Sequence, residues 1–107
     1  MGYREPAFME TYGGSMLGAA GLMSDERLKE NIKPIENALD KVKQLDGKTY
    51  NFICKSEPDA GVIAQDLEKI LPEAVIEQNG IKYVKYEAVI ALLVNAVKEL
   101  ARKVDNV

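Results

Sequence analysis

Hydrophobic positions recur with more than one period along this chain, and each period predicts a different element. From Tyr86 onward, Ile90, Leu93, Val97, Leu100 and Val104 are spaced three, four, three, four. This spacing predicts a long helix with a heptad seam, with Ile90, Val97 and Val104 at a and Leu93 and Leu100 at d. Val89, Leu92, Val94 and Ala96 widen the apolar face beyond a two-helix stripe. Such a helix must bury more than one side, against its own domain, against other copies, or both. The seam covers only about two and a half heptads, too few to hold an oligomer alone. Its β-branched residues at a and leucines at d, taken alone, favour a parallel dimer.

Upstream, Ser24-Asp25-Glu26 reads as a helix start, with the serine hydroxyl as cap and two acids at the positive end of the helix dipole. The turn it opens must stop before Pro34. Pro34 suits the first turn of a second helix, carrying Ile35, Ala38, Leu39, Val42 and Leu45 on one side. Asp46-Gly47 ends that helix, with Gly47 as a left-handed cap. Lys48 to Ile53 alternates through Tyr50 and Phe52 like a strand, which places Cys54 at a strand end. Ser56 to Asp59 is a turn. Gly61-Val62-Ile63-Ala64 reads as a short buried strand entering a helix from Gln65 to Leu71, closed by Pro72. Ala74–Glu77 and Ile81–Val84 flank Asn79-Gly80, a strong hairpin signal. The fold class expected is α+β: a small globular part with short strands and a β-hairpin, plus a long C-terminal helix.

Residues 1–23 break with this patterning. Gly13, Gly14, Gly18 and Gly21 sit among small residues, with no charge from Thr11 through Met23. Glycine at this density weakens helix and strand alike. The segment reads as the end of a larger upstream structure or as a disordered terminus. The expected division is thus 1–23 as linker and 24–107 as domain.

Composition narrows the function. The chain has 107 residues, 47% of them hydrophobic and 29% charged, and a net charge of −3. That length bounds it at one domain with a modest core, which assembly with other copies would enlarge. The acidic balance argues against nucleic acid as a partner. No apolar run is long enough for a membrane helix, and the first five residues carry no secretory stretch. One cysteine and no histidine give no zinc set and no activated thiol, and no cofactor is expected. Cys54 reads as a packed or half-exposed thiol.

Without histidine, acyl chemistry would need another base, and Ser24 with Lys29 is the available pair. On a regular α-helix, five residues leave two side chains about 140° apart. The pair therefore requires a break from helical geometry, or a lysine from a neighbouring copy. The lysine would also need its pKa lowered, and Arg27 and Lys33 are candidates for the nearby positive charge. Asp25, Glu26 and Glu30 would act in the opposite sense. On the residues alone, a capping serine and a solvated lysine are the better explanation of the pattern, since serine and lysine at this spacing recur by chance.

The wider pattern adds to this. Ser24-Asp25-Glu26-Arg27-Leu28-Lys29-Glu30-Asn31-Ile32-Lys33-Pro34 resembles the opening of the intramolecular chaperone auto-processing domains of the S74 peptidase family, carried by bacteriophage tail spikes, tail fibres and neck appendages. Ala38 to Leu45, Tyr50-Asn51-Phe52, Gly61 to Val75, and Tyr83 to Leu100 resemble the family's later motifs in the same order. The resemblance implies a homotrimer, built partly on the seam Ile90, Leu93, Val97, Leu100 and Val104, that assists folding of an upstream fibre domain of the same polypeptide. It implies self-cleavage at Met23–Ser24, with Ser24 as nucleophile and Lys29 as general base. It also implies phage assembly in the host cytoplasm, release of the chaperone, and neither membrane nor nucleic acid as partner. Gln65-Asp66 matches a polar pair of the family, and Asp66 reads first as a helix N-terminal charge. Two other readings stay open: a trimerisation module of the same fold without activity, and a coiled-coil adaptor.

Overall fold

A computed structural model describes residues 22–106, and the chain divides into two units between Pro34 and Ile35. The glycine-rich segment singled out above lies, apart from Leu22 and Met23, outside the described residues.

The second unit begins with a short helix, α1 (Ala38–Val42). It starts later than Pro34 because its cap comes from far along the chain. Asn37 is left-handed, with φ of 54°, and makes no side-chain cap. Instead the Glu99 carboxylate accepts the N–H groups of Ala38 and Leu39, each at 3.0 Å. Asn95 Nδ2 donates to the Ile35 carbonyl at 3.1 Å, anchoring the approach to the helix. The C-terminal end also differs from expectation. Gln44 and Leu45 N–H groups bond to the carbonyls of Lys41 and Val42, closing tight turns, and Gly47 is not left-handed. With the last carbonyls already satisfied, no left-handed glycine is required.

Two strands follow, β1 (Lys48–Tyr50) and β2 (Asp59–Gly61), paired antiparallel with Tyr50 opposite Asp59. The first strand is shorter than its alternation predicts. Phe52, Ile53 and Cys54 belong to the connecting loop, where Lys55 N–H bonds to the Phe52 carbonyl at 2.8 Å and the Asn51 side chain donates to the Ser56 carbonyl at 2.7 Å. Cys54 is therefore exposed in a turn, neither packed nor in a strand. The second strand ends where a buried strand was expected to begin. At Gly61, a Cβ would meet Tyr86 Oη at 2.5 Å and Tyr50 Oη at 3.0 Å. The bare backbone lets two phenols converge there, and Val62 N–H donates to Tyr86 Oη at 3.4 Å.

Helix α2 (Ala64–Ile70) buries Leu67 and Ile70. Pro72 ends it and opens a 3₁₀ turn, Pro72–Ala74. Strands β3 (Val75–Gln78) and β4 (Ile81–Val84) then form the expected hairpin, with Gln78 opposite Ile81. Asn79 and Gly80 both take positive φ, 52° and 78°, as a tight two-residue turn of this hand requires. Lys82 of β4 reaches Glu77 at 2.8 Å and Glu68 of α2 at 3.1 Å, and the bonds to these carboxylates, Glu77 first, raise its pKa.

The chain ends in α3 (Tyr86–Asp105), the long helix that the heptad spacing predicts. Its Val89, Leu92 and Ala96 are buried with Ala38, Leu67, Ile70, Leu71 and Ala74 in one core. Ile35, Leu39, Val42, Val75 and Val84 pack around its edge. The seam faces elsewhere: Ile90, Val97 and Val104 are 61%, 63% and 63% exposed, and Leu93 and Leu100 are also exposed. The helix thus carries two apolar stripes, and the domain's own core uses the one outside the heptad. The fold class is α+β, as the sequence indicates. Among the described residues, no helix is long and apolar enough to cross a membrane.

Candidate functional site

The first unit holds Ser24 and Lys29. The segment folds as a single 3₁₀ turn, Glu26–Leu28, with extended backbone on both sides. Asp25 has φ of −66° and ψ of 130°, and Lys29 has φ of −121° and ψ of 151°. The cap is Asp25, not Ser24: its carboxylate accepts the Arg27 N–H at 2.9 Å. Aspartate and serine are comparable caps, so the residue chemistry does not by itself choose between them. The choice of Asp25 leaves the Ser24 hydroxyl outside the turn.

Leaving α-helical geometry has a direct consequence. Lys29 Nζ donates to Ser24 Oγ at 2.7 Å, within one chain. The 140° separation of an ideal helix does not arise, because only three of the residues are helical and their winding is tighter. Both side chains are exposed, and Met23 beside them is half-buried. Asn31, left-handed with φ of 56°, turns the backbone again two residues after the lysine.

Arg27 does not supply a free positive charge to the lysine. Its guanidinium grips Asp25 in a fork, with a contact of 2.6 Å to Oδ2. This bond, then the one from the Arg27 backbone, holds the Asp25 carboxyl below the usual range, and the same pairing raises the Arg27 pKa. The N–H groups of Arg27, Leu28 and Lys29 are engaged within the turn, to the Asp25 side chain, the Asp25 carbonyl and the Glu26 carbonyl. They are not available to a developing oxyanion while the turn is formed.

The remaining sequence candidates lie in the second unit. Ile90, Leu93, Val97, Leu100 and Val104 form a continuous apolar line on the outer face of α3. Asp66 sits in the first turn of α2, with Lys48 Nζ at 3.9 Å, an arrangement that suits a helix N-terminal charge. Among the described residues, no cluster of ligating side chains could hold a metal ion. Glu99 and Asn95, which fasten α1 to α3, were not singled out by sequence reasoning. On the helix they read as ordinary polar positions, and their partners lie about 60 residues away.

A small α+β domain with a bare helical seam and a hydroxyl–amine pair at its start is the class that fold and site define. Residues 24–76 match the model of the peptidase S74 family, described as chaperone of endosialidase, and the chain belongs to that family over these residues. It is 50% identical over 95 residues to the long tail fiber protein Gp37 of Enterobacteria phage K3, and equally so to that of phage T2. It is 41% identical over 97 residues to the Gp37 protein of phage M1. These matches cover 79% of this chain but only 8%, 7% and 38% of the three fibre proteins.

Proposed function

We propose that this chain is the self-cleaving chaperone end of a phage fibre. It trimerises, assists folding of the fibre upstream in the same polypeptide, and is released by cutting the Met23–Ser24 bond. The observation that carries this reading is the 2.7 Å contact between Lys29 Nζ and Ser24 Oγ, at the first residue of the family match.

The chemistry follows from that contact. Once Lys29 has given a proton to water, its neutral amine accepts the hydroxyl proton as Ser24 Oγ attacks the Met23 carbonyl carbon. The tetrahedral adduct collapses with cleavage of the C–N bond, and Nζ returns the proton to the departing Ser24 amine. The product is an ester between the Met23 acyl group and Ser24 Oγ. Water then adds to that ester and the C–Oγ bond breaks, freeing a carboxylate on the upstream segment and restoring the Ser24 hydroxyl, so that the released chain begins at Ser24. The reaction is a single turnover on the chain's own backbone, so no substrate pocket is needed.

Trimer formation is supported by the outer face of α3, whose apolar seam the domain's own core leaves exposed. Leu28 and Ile32, flanking the lysine, are also exposed, 51% and 64%. Release after assembly would make fibre unfolding hard to reverse. The setting is the host cytoplasm during phage assembly, with the fibre going to the virion.

The test is intact mass over time for the full chain, Ser24→Ala and Lys29→Ala. Wild type converts to a product beginning at Ser24, and both variants stay whole. A wild-type chain that remains uncut while trimeric assigns the domain to the non-enzymatic trimerisation module instead.

A further inference from the structure

One carboxylate organises the turn that brings the reacting pair together. Asp25 Oδ1 accepts the Arg27 N–H at 2.9 Å and Arg27 Nε at 3.0 Å. Asp25 Oδ2 takes Nε at 3.2 Å and a terminal guanidinium nitrogen at 2.6 Å. The Asp25 carbonyl accepts Leu28 N–H at 3.0 Å, and the Glu26 carbonyl accepts Lys29 N–H at 3.1 Å. The backbone of Lys29 thus hangs directly on the turn that Asp25 caps, while Ser24 is joined to Asp25 by the peptide bond. Such a turn is weak in isolation, since few hydrogen bonds offset the ordering of its residues. The cap is therefore a large part of what holds it.

We propose that Asp25 is a positioning residue for self-cleavage, closing the 3₁₀ turn that presents Lys29 Nζ to Ser24 Oγ, with Arg27 orienting the carboxylate. This rests on the self-cleavage reading above. Asp25 exchanges no proton with the reacting groups, because its oxygens are committed to Arg27. An exposed ion pair alone contributes little, so the cap bond carries most of the effect. That ranks the substitutions. Asp25→Asn keeps a cap oxygen of equal rank, whereas Asp25→Ala removes it. Arg27→Ala leaves the cap bond to its backbone N–H and loses only the orienting fork.

The experiment measures the rate of conversion to the Ser24-initiated product by intact mass for the full chain and these variants, across pH. Sedimentation and thermal midpoints are read in parallel. Asp25→Ala cleaves about tenfold more slowly at unchanged oligomeric state and midpoint, and Asp25→Asn stays within about threefold of wild type. Arg27→Ala falls between them. The acid limb of the rate profile keeps its midpoint in Asp25→Asn, because the carboxylate acts through geometry. Cleavage by Asp25→Ala at the wild-type rate overturns the proposal. So does an Asp25→Asn variant as slow as Asp25→Ala, or a displaced acid limb. If wild type does not cleave, the self-cleavage reading fails on its own, and positioning is read by NMR. Cross-relaxation between the Lys29 ε-protons and the Ser24 β-protons is then present in wild type and Asp25→Asn and lost in Asp25→Ala; equal signals in all three overturn the proposal.

Discussion

At the scale of single residues, the side chains that matter most are polar groups tied to backbone. Glu99 replaces a local cap for α1, accepting two N–H groups that a five-residue helix cannot satisfy internally. These bonds, from Leu39 first and then Ala38, hold the Glu99 carboxyl below its ordinary value of 4.5, with Arg102 and Lys103 assisting. A depressed carboxylate contributes stability above its unfolded pKa and loses it as pH falls through its folded pKa. Glu99→Gln should therefore lower the thermal midpoint at neutral pH. The gap to wild type should close as pH falls below about 4.5. Thermal unfolding of both chains from pH 7 to pH 3 checks this, and a gap that stays constant would show that the charge plays no part. Ser24 and Lys29 are residues of the same kind, polar and exposed, whose meaning comes from the backbone that joins them.

At the scale of elements, turns decide more than helices do. The second hairpin depends on Asn79-Gly80, where two successive positive φ values match the twist of the strands. Gly80→Ala forces a Cβ into a left-handed position, although nothing stands within 4 Å of it. The cost is conformational, not steric against neighbours, and should reach at least about 1 kcal/mol in denaturant unfolding. Replacing Asn79 with glycine should be far better tolerated. The first hairpin is held differently. Its loop uses Asn51 and a backbone bond at Phe52, and its base closes on Gly61 between two tyrosines. The 3₁₀ turn Glu26–Leu28 belongs to the same class of short, side-chain-capped elements.

At the scale of the whole molecule, α3 is read from two sides. Its inner stripe makes the core, in which Leu67 and Leu92 are the largest fully buried side chains. Its outer stripe is the exposed seam. Substitutions on the two stripes should separate folding from assembly. Leu92→Ala leaves a cavity and should cost about 2–5 kcal/mol of domain stability. Val97→Asp should leave the helical signal unchanged by circular dichroism. In sedimentation it should shift the proposed trimer to monomer, because assembly would bury like charges together. A Val97→Asp chain that still sediments as a trimer would place the interface elsewhere.

By itself the sequence determined the hairpin at Asn79-Gly80, the helix from Tyr86 and the order of elements, because those signals are local: turn chemistry and apolar period act within a few residues. It also marked Ser24 and Lys29, and required either that helical geometry be broken or that a neighbouring copy supply the lysine. Where competing local signals had similar strength, the structure decided. Asp25 took the cap that Ser24 was expected to take, and Asn37 with the distant Glu99 set the start of α1 in place of Pro34. Phe52 left the strand for a loop. Only the tertiary structure could say which stripe of α3 the domain itself consumes, since two apolar faces on one helix are equivalent until something packs on one. Packing by α1 and the Pro72–Ala74 turn, with Val89, Leu92 and Ala96 buried in the shared core, settles it and leaves the heptad residues outward.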